Sequence, residues 1–395
     1  MEYMTVAEAA SKWSVSPRQV QRFLSDNRIA DAKKYGRAWM IPTDAQKPVD
    51  VRRAQDAIQD IFLQDFKEEL KKTTIPMPFN DPDAIMESLD DELISLEYEA
   101  EIAYLRGDFE RTIRCFKKLS ADEVAKFRAC SVAIAAAISL GDYQTYSEIE
   151  SYLKTLIEKD EWVEVTSFAE SSLSTAYVST FATKMVPAWL KDGDLSTVPL
   201  EARPDALYKR AKYFQCISRY ESMLAVAQSA LSLCDSNEGI TFPSLYLKTA
   251  CALACCCLER IDDAQKYLRE VIDLCLPHGF ITPLAESVSI FGPLLEQCLE
   301  EKYPEYIKII YAQWTTVFKN WIIFHNRFTQ DNITDILSLR EYQIATLVAI
   351  RTPYVKIAEI HNISVGRLKN IVQEIYRKLF VSSRNELKEY IIWKE

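Results

Sequence analysis

Glycine is nearly missing from this chain: there are 8 in 395 residues, about 2% where roughly 7% is usual. Such scarcity argues against a Rossmann-type enzyme or a turn-rich β protein and for long helices with short connections. Histidine is rarer still, and His278, His325 and His361 stand at no metal-ligand spacing with cysteines or carboxylates. No Gly-x-x-x-x-Gly-Lys-[Ser/Thr] loop, Gly-x-Ser-x-Gly elbow, His-Glu-x-x-His pair or dinucleotide fingerprint occurs. The expectation is therefore no enzyme, no cofactor and no metal. No apolar run approaches the ~18–20 residues that span a bilayer; the longest, Ala129 to Leu140 and Ala250 to Leu258, read as core helix. The start, Met1-Glu2-Tyr3-Met4-Thr5, has no basic segment followed by an apolar one, so no signal peptide is expected. Ten cysteines without a Cys-x-x-Cys pair read as reduced, mostly buried thiols of a cytoplasmic protein. Cys251 and Cys255-Cys256-Cys257 read as small apolar packing, with a thiol redox switch as the alternative.

What is present is a soluble globular mixture, 48% hydrophobic and 26% charged. Its length suits two or three domains. The net charge of −10 is uneven: residues 1–50 carry +2 and residues 335–395 carry +3, leaving −15 between them. Basic ends around an acidic centre are the pattern of two polyanion-facing modules held apart by a third module.

Near the N-terminus, Thr5 followed by Glu8 is a capping-box pattern. Ser16 is a good N-cap, with Pro17 at the first helical position, where its missing N–H is harmless. Two short helices joined by about three residues make a helix-turn-helix candidate. Val20, Phe23 and Leu24 share the inner face of the second helix, with Arg18, Gln19, Gln21 and Arg22 mostly on the others. Gly36 is a natural hairpin turn, giving a small wing that carries Lys33, Lys34 and Arg37. A helix-prone stretch, Arg53 to Lys72, then leads to a linker with prolines at 76, 78 and 82, the clearest boundary in the chain.

From about Ala84 to Phe328 the sequence reads as successive amphipathic helices. Gly107-Asp108-Phe109 and Gly141-Asp142-Tyr143 lie 34 residues apart, the period of the tetratricopeptide helical hairpin. Glu259-Arg260-Ile261-Asp262 reads as a third copy and Ile217-Ser218-Arg219-Tyr220 as a possible fourth, while residues 160–205 fit no repeat cleanly. An unrelated α bundle is the alternative.

Residues 337–387 are the most informative. Thr352-Pro353 reads as an N-cap and first-turn pair opening a short helix, and Ser364 as the cap of the next. Leu368, Ile371, Val372, Ile375 and Leu379 fall on one helical stripe. The opposite face carries Lys369, Asn370, Gln373 and Arg377, with Arg367 at its flank. Cations neutralise phosphates and amides pair with adenine, so this face suits a major-groove reader. By composition alone it also suits an ordinary solvated helix.

The order of residues adds to this. The last 55 to 60 residues resemble the LuxR-type DNA-binding domain through Leu337, Ser338, Arg340, Glu341, Ile357, Ala358, Ile363, Ser364, Leu368, Lys369, Ile375, Lys378, Leu379, Val381 and Arg384. The resemblance implies a four-helix helix-turn-helix module with Lys369 on its recognition helix. Three departures stand out: Arg351 replaces the family's usual glycine, Arg367 its threonine and Ile371 its histidine. The scaffold is kept better than the contact positions. About 45 N-terminal residues resemble the excisionase and MerR-like winged helix through Thr5 to Ala10, Val15 to Val20 and Gly36 to Pro42. That implies Arg18, Gln19 and Arg22 toward the major groove, with Lys33, Lys34 and Arg37 toward phosphates. The middle resembles the helical-repeat sensor region of large LuxR-type activators, without their ATPase and without a receiver domain.

The resulting expectation is a mostly α chain. Residues 1–50 form a winged helix, 51–83 a helix and linker, 84–330 a tetratricopeptide-like sensor array and 331–395 a LuxR-type domain. Its function would be that of a cytoplasmic bacterial transcriptional regulator, homodimeric on double-stranded DNA and away from membranes. Its array would sense a peptide, small molecule or protein. The alternative is a protein-binding adaptor with degenerate terminal modules.

Overall fold

The structure, a computed structural model, describes residues 3–25, 29, 32–35, 38–43, 45, 47, 81–159, 162–234, 240–329 and 337–391. The expected helix at Arg53 to Lys72, most of the following linker and Arg37 lie outside the described residues. The chain is mostly α-helical and divides into two compact units, Met1–Asp65 and Phe66–Glu395.

The first unit is β1 (Tyr3–Met4), α1 (Val6–Lys12), α2 (Pro17–Ser25), β2 (Lys33–Tyr35) and β3 (Ala38–Pro42). Thr5 and Glu8 form the expected capping box, and Ser16 Oγ accepts from the Gln19 N–H. The two helices meet at Ser14, whose φ of 50° turns the chain sharply. The strands flanking Gly36 pair antiparallel, Lys33 opposite Met40 and Tyr35 opposite Ala38. Sequence reasoning missed β1, which pairs Met4 with Ile41 and ties the start of the chain to the wing. Met4, Ala9, Ala10, Trp13, Val20, Phe23, Leu24, Ile29 and Ile41 form the core.

The second unit opens with α3 (Pro82–Ser88) and continues as helical hairpins. These are α4 (Glu92–Arg106) with α5 (Phe109–Leu119), α6 (Glu123–Leu140) with α7 (Tyr143–Lys159), α10 (Arg203–Cys216) with α11 (Tyr220–Leu231), and α12 (Phe242–Cys257) with α13 (Ile261–Cys275). Between them, α8 (Val163–Ser179) is followed only by short pieces, including α9 (Ala188–Asp192), where the sequence showed no repeat. All four turns share one geometry. A left-handed residue (Gly107, Gly141, Ser218 or Glu259) ends the first helix. The next N–H then bonds five residues back: Asp108 to Ala103, Asp142 to Ala137, Arg219 to Phe214 and Arg260 to Cys255, all at 2.8–2.9 Å.

The first helices of the hairpins, with α8, pack side by side in the order α4, α6, α8, α10, α12. The row then curls back on itself. Beyond α13, α14 (Thr282–Ala285) returns to α4: Thr282 Oγ1 donates to Tyr104 O at 2.6 Å, Arg106 Nε to His278 O at 3.1 Å, and Tyr104 to the Glu286 carboxylate. After α15 (Val288–Phe291) and α16 (Pro293–Glu300) comes α17 (Pro304–Thr329), 26 residues long. It lies across three successive turns of the array. Gln313 sits against Gly107; Asn320 Nδ2 donates to Ser139 O (2.7 Å) beside Gly141; His325 Nδ1 lies 2.6 Å from Thr180 O. Both glycines are needed twice over, for φ of 82° and 76° and because a Cβ would meet the Gln313 and Asn320 amides at 2.7 and 2.9 Å.

Four helices end the unit: α18 (Leu339–Ala349), α19 (Tyr354–Ile360), α20 (Val365–Leu379) and α21 (Arg384–Ile391). They pack onto the array. Gln343 Nε2 donates to Thr315 O at 2.8 Å, Tyr342 stacks on Phe318 with centroids 6.0 Å apart, and Lys356 pairs with Glu296 at 3.6 Å. At this junction Gly292 has φ 51° and ψ −129°, and a Cβ there would lie 3.1 Å from the Ile350 carbonyl oxygen.

Candidate nucleic-acid interface

In the first unit, Val20, Phe23 and Leu24 bury one side of α2. That leaves Arg18 and Arg22 exposed on the other and Gln19 half-buried at the edge. Lys33 and Lys34 are exposed on β2, and the Lys34 ammonium lies 5.7 Å from the Trp39 ring centroid. Lys34 and Trp39 stand opposite each other in the hairpin, so the cation rests on the aromatic across the strand pair.

In the last four helices, the Ser338 and Glu341 capping box starts α18. Lys378 Nζ on α20 reaches both Glu341 oxygens, at 2.8 and 2.9 Å. Burial pushes the Glu341 carboxyl up, but the hydrogen bonds from Lys378 and Ser338 outweigh it and hold the pKa below the ordinary value. Arg340 Nη2 donates to His361 O at 2.7 Å and fixes the turn between α19 and α20. The expected Thr352-Pro353 cap is corrected by one residue: Pro353 is the N-cap of α19, without a side-chain cap bond, and the buried Thr352 hydroxyl has no partner. The Pro353 φ of −58° with ψ 139° is extended, and its carbonyl accepts the Ile357 N–H at 3.0 Å. Because Pro353 is itself extended, it takes the N-cap position and leaves Thr352 one residue too early to cap the first turn.

Ser364 caps α20 as expected, accepting from the Arg367 N–H at 3.2 Å. Leu368, Val372, Ile375 and Leu379 are buried, while Ile371 is only half-buried. On the far side Arg367, Lys369, Asn370, Gln373 and Arg377 are all exposed. At 100° per residue, Lys369, Gln373, Arg377 and Asn370 form one stripe along α20, with Arg367 beside it. Arg377 is paired with Glu374, so one cation of the stripe carries its own counter-ion. A groove of about 450 Å³ runs between α18 and α20, lined by Arg340, Glu341, Arg367, Asn370 and Glu374 among others. Arg340 was read from the sequence as scaffold; its place in this groove follows from a turn closed 21 residues away.

The three departures from the LuxR-type pattern now have positions. Arg351 has φ 65°, so an arginine occupies a left-handed conformation that glycine adopts without strain. Arg367 is exposed at the start of α20, and Ile371 turns toward the groove.

Elsewhere the chemistry is closed. All ten cysteines are free, and burial pushes Cys251 and Cys257 up to about 12 and Cys256 to about 11. Thiols shifted upward are poor thiolates at neutral pH, which favours packing over a redox switch. Among the described residues no group of three or more His, Cys, Asp or Glu is placed to hold a metal, and no helix is long and apolar enough to cross a membrane. Searches with this chain found no matching family model, no matching curated protein and no matching solved structure.

Proposed function

We propose that this chain is a sequence-specific DNA-binding transcriptional regulator. In this reading residues 331–395 are a LuxR-type helix-turn-helix, residues 1–50 an excisionase/MerR-like winged helix, and residues 84–330 a tetratricopeptide-like array that senses a ligand or partner. The observation that carries it is the stripe of Lys369, Asn370, Gln373 and Arg377 on α20, exposed while the opposite face of the helix is core. It stands on the second helix of a pair whose turn is fixed by Arg340 and whose start is capped by Ser364. A helix held this way presents cations to phosphates and amides to base edges as one rigid surface. Arg18, Gln19 and Arg22 on α2, with Lys33 and Lys34 of the wing, make a second such surface. The reading assigns no catalytic role to any residue.

The test is genome-wide occupancy of the tagged protein in its host, followed by binding of the full chain to the recovered sites at two salt concentrations. The expected result is sharp peaks and affinity that falls steeply with salt. The pair Lys369→Ala and Gln373→Ala should lose at least tenfold in affinity for those sites with the helical circular dichroism unchanged. Absence of enrichment, or variants that bind as well as the parent, would favour the adaptor reading instead.

A further inference from the structure

The long helix α17 has one buried face and one open one. Ile310, Tyr311, Trp314, Val317 and Ile322 go into the core. On the other side Glu305, Ile309, Ala312, Thr316, Lys319, Ile323 and Arg327 are all exposed. At 100° per residue, all of these except Lys319 fall within about 60° of one another, a straight seam with Lys319 at its flank. The seam runs from Glu305 to Arg327, about 33 Å at 1.5 Å per residue.

Single exposed isoleucines are ordinary on a protein surface. Ile309 is 48% exposed and Ile323 38%, but these two belong to a symmetric pattern. They stand seven residues before and seven after Thr316, and Glu305 and Arg327 stand eleven before and eleven after it. The middle is small: Ala312 and Thr316, whose hydroxyl already donates to Ala312 O at 3.4 Å within the helix. The charges at the ends are not used by the array. Among the described residues Glu305 has no ion pair, and Arg327 rests its guanidinium 3.7 Å from the Tyr143 ring centroid without a carboxylate. From either end the seam gives a charge, an isoleucine, a small centre, an isoleucine and the opposite charge.

We infer that this seam is a homodimer surface: α17 lies antiparallel against α17 of a second copy, with the two-fold axis at Thr316. A two-fold there makes the contact self-complementary. It sets Ile309 of each protomer level with Ile323 of the other, and Glu305 level with Arg327. Two apolar pairs then flank a small centre that lets the axes approach to about 8–10 Å, and an ion pair closes each end. Lys319 comes level with Ala312 and Gln313, where its methylenes cover the alanine and its ammonium stays in water. No other antiparallel register joins both the isoleucines and the opposite charges. A parallel pair would set Glu305 against Glu305 and Arg327 against Arg327, which repel. A strip about 33 Å long and about 10 Å wide falls short of the roughly 800 Å² each partner gives to a tight interface, so it suits a reversible, concentration-dependent dimer. The surface serves the homodimer expected of the proposed regulator and rests on that reading for its purpose, not for its geometry.

The experiment is sedimentation velocity of the full chain, without DNA, from about 1 to about 100 µM. The parent should pass from monomer to dimer across that range. Ile309→Lys and Ile323→Lys, both at exposed positions, should each weaken the dimer at least tenfold with the helical circular dichroism unchanged. Glu305→Arg and Arg327→Glu should each weaken it severalfold, and the two combined in one chain should restore it. Thr316→Cys, on the axis, should link two copies through a disulfide on incubation with oxidised glutathione, while Lys308→Cys, on the flank, should not. A chain that stays monomeric at about 100 µM, or a dimer indifferent to the isoleucine variants, would overturn the seam. In a monomer, a Thr316→Cys thiol shielded from maleimide would assign the face to another part of the same chain, and one that reacts freely would assign it to a different partner; either outcome also rejects the homodimer. Because no DNA takes part, failure here leaves the DNA-binding reading to its own test.

Discussion

The chain carries two short helix pairs with basic outer faces, and they are built in different ways. The N-terminal pair, α1 and α2, belongs to a small unit whose core is nine buried residues and which needs the strand from Tyr3 to close it. The C-terminal pair, α19 and α20, belongs to the large unit, where Gln343 and Tyr342 of the preceding α18 and Lys356 of α19 anchor the last four helices to the array. The same kind of surface is thus mounted once on a light unit with its own core and once on the large helical unit. Contacts from Thr315, Phe318 and Glu296, all on α16 or α17, reach α18 and α19 directly.

That contrast can be broken from either side. Phe23→Ala removes a ring that is 4% exposed from the small core and should cost about 3–5 kcal/mol. Calorimetry should then show the small unit unfolded and the transition of the large unit unmoved; a joint shift would mean that the two units do not melt separately. Gly292→Ala strikes the other anchor, with a strained φ and ψ and a Cβ pressed on the Ile350 carbonyl. About 2–3 kcal/mol should be lost, seen as faster amide exchange across residues 338–391, with exchange in α1 and α2 as in the parent.

Acidity should separate the two ends as well. Burial, with Arg340 alongside, pushes the His361 pKa down to about 4. The folded module keeps this imidazole neutral while the unfolded chain takes up a proton below about 6.5, so stability falls as pH drops from 6.5 toward 4. Between pH 6.5 and 5 the loss should show as a lower melting temperature of the module. Glu341, held below its ordinary value, adds a further loss at lower pH as its carboxyl protonates. In the small unit Glu8, an exposed carboxylate, is lowered by its bonds to Thr5 and titrates only in the lower range. Amide protection factors, taken relative to the intrinsic exchange rate at each pH, should therefore change between pH 7 and pH 5 in α18 to α21 and not in α1 and α2, and His361→Leu should flatten the response. The smallest effect is a gain: Arg351→Gly relieves a left-handed arginine at φ 65° and should raise the stability of the module by about 1 kcal/mol, read as a slightly higher melting temperature.

Much of this was legible where local chemistry decides it. Thr5, Ser16 and Ser364 cap the helices they were expected to cap, because a hydroxyl beside an orphan N–H is a matter of two or three residues. The glycines at 107 and 141 announced their turns. The turns at Ser218 and Glu259 have the same geometry without the residue that signals it, since surrounding packing holds a side chain where glycine would be free. The closure of the row was invisible: Tyr104 and Glu286 are 182 residues apart. The one-residue correction at Thr352 came from weighing a good capping side chain above the backbone of Pro353, which is itself extended.

The long helix α17 also sets a count. Gln313 and Asn320 are seven residues apart, which along a helix is about 10 Å, the spacing of packed neighbouring helices. One meets the turn at Gly107 and the other the turn at Gly141. Arrays of helical hairpins change length in evolution by gaining or losing whole hairpins, but here an extra one between α4 and α8 would fall out of step with the amides that seal each turn. It could be accommodated only with seven more residues in α17, inserted at the matching place. The number of hairpins is therefore written a second time, in the length of a helix that belongs to none of them.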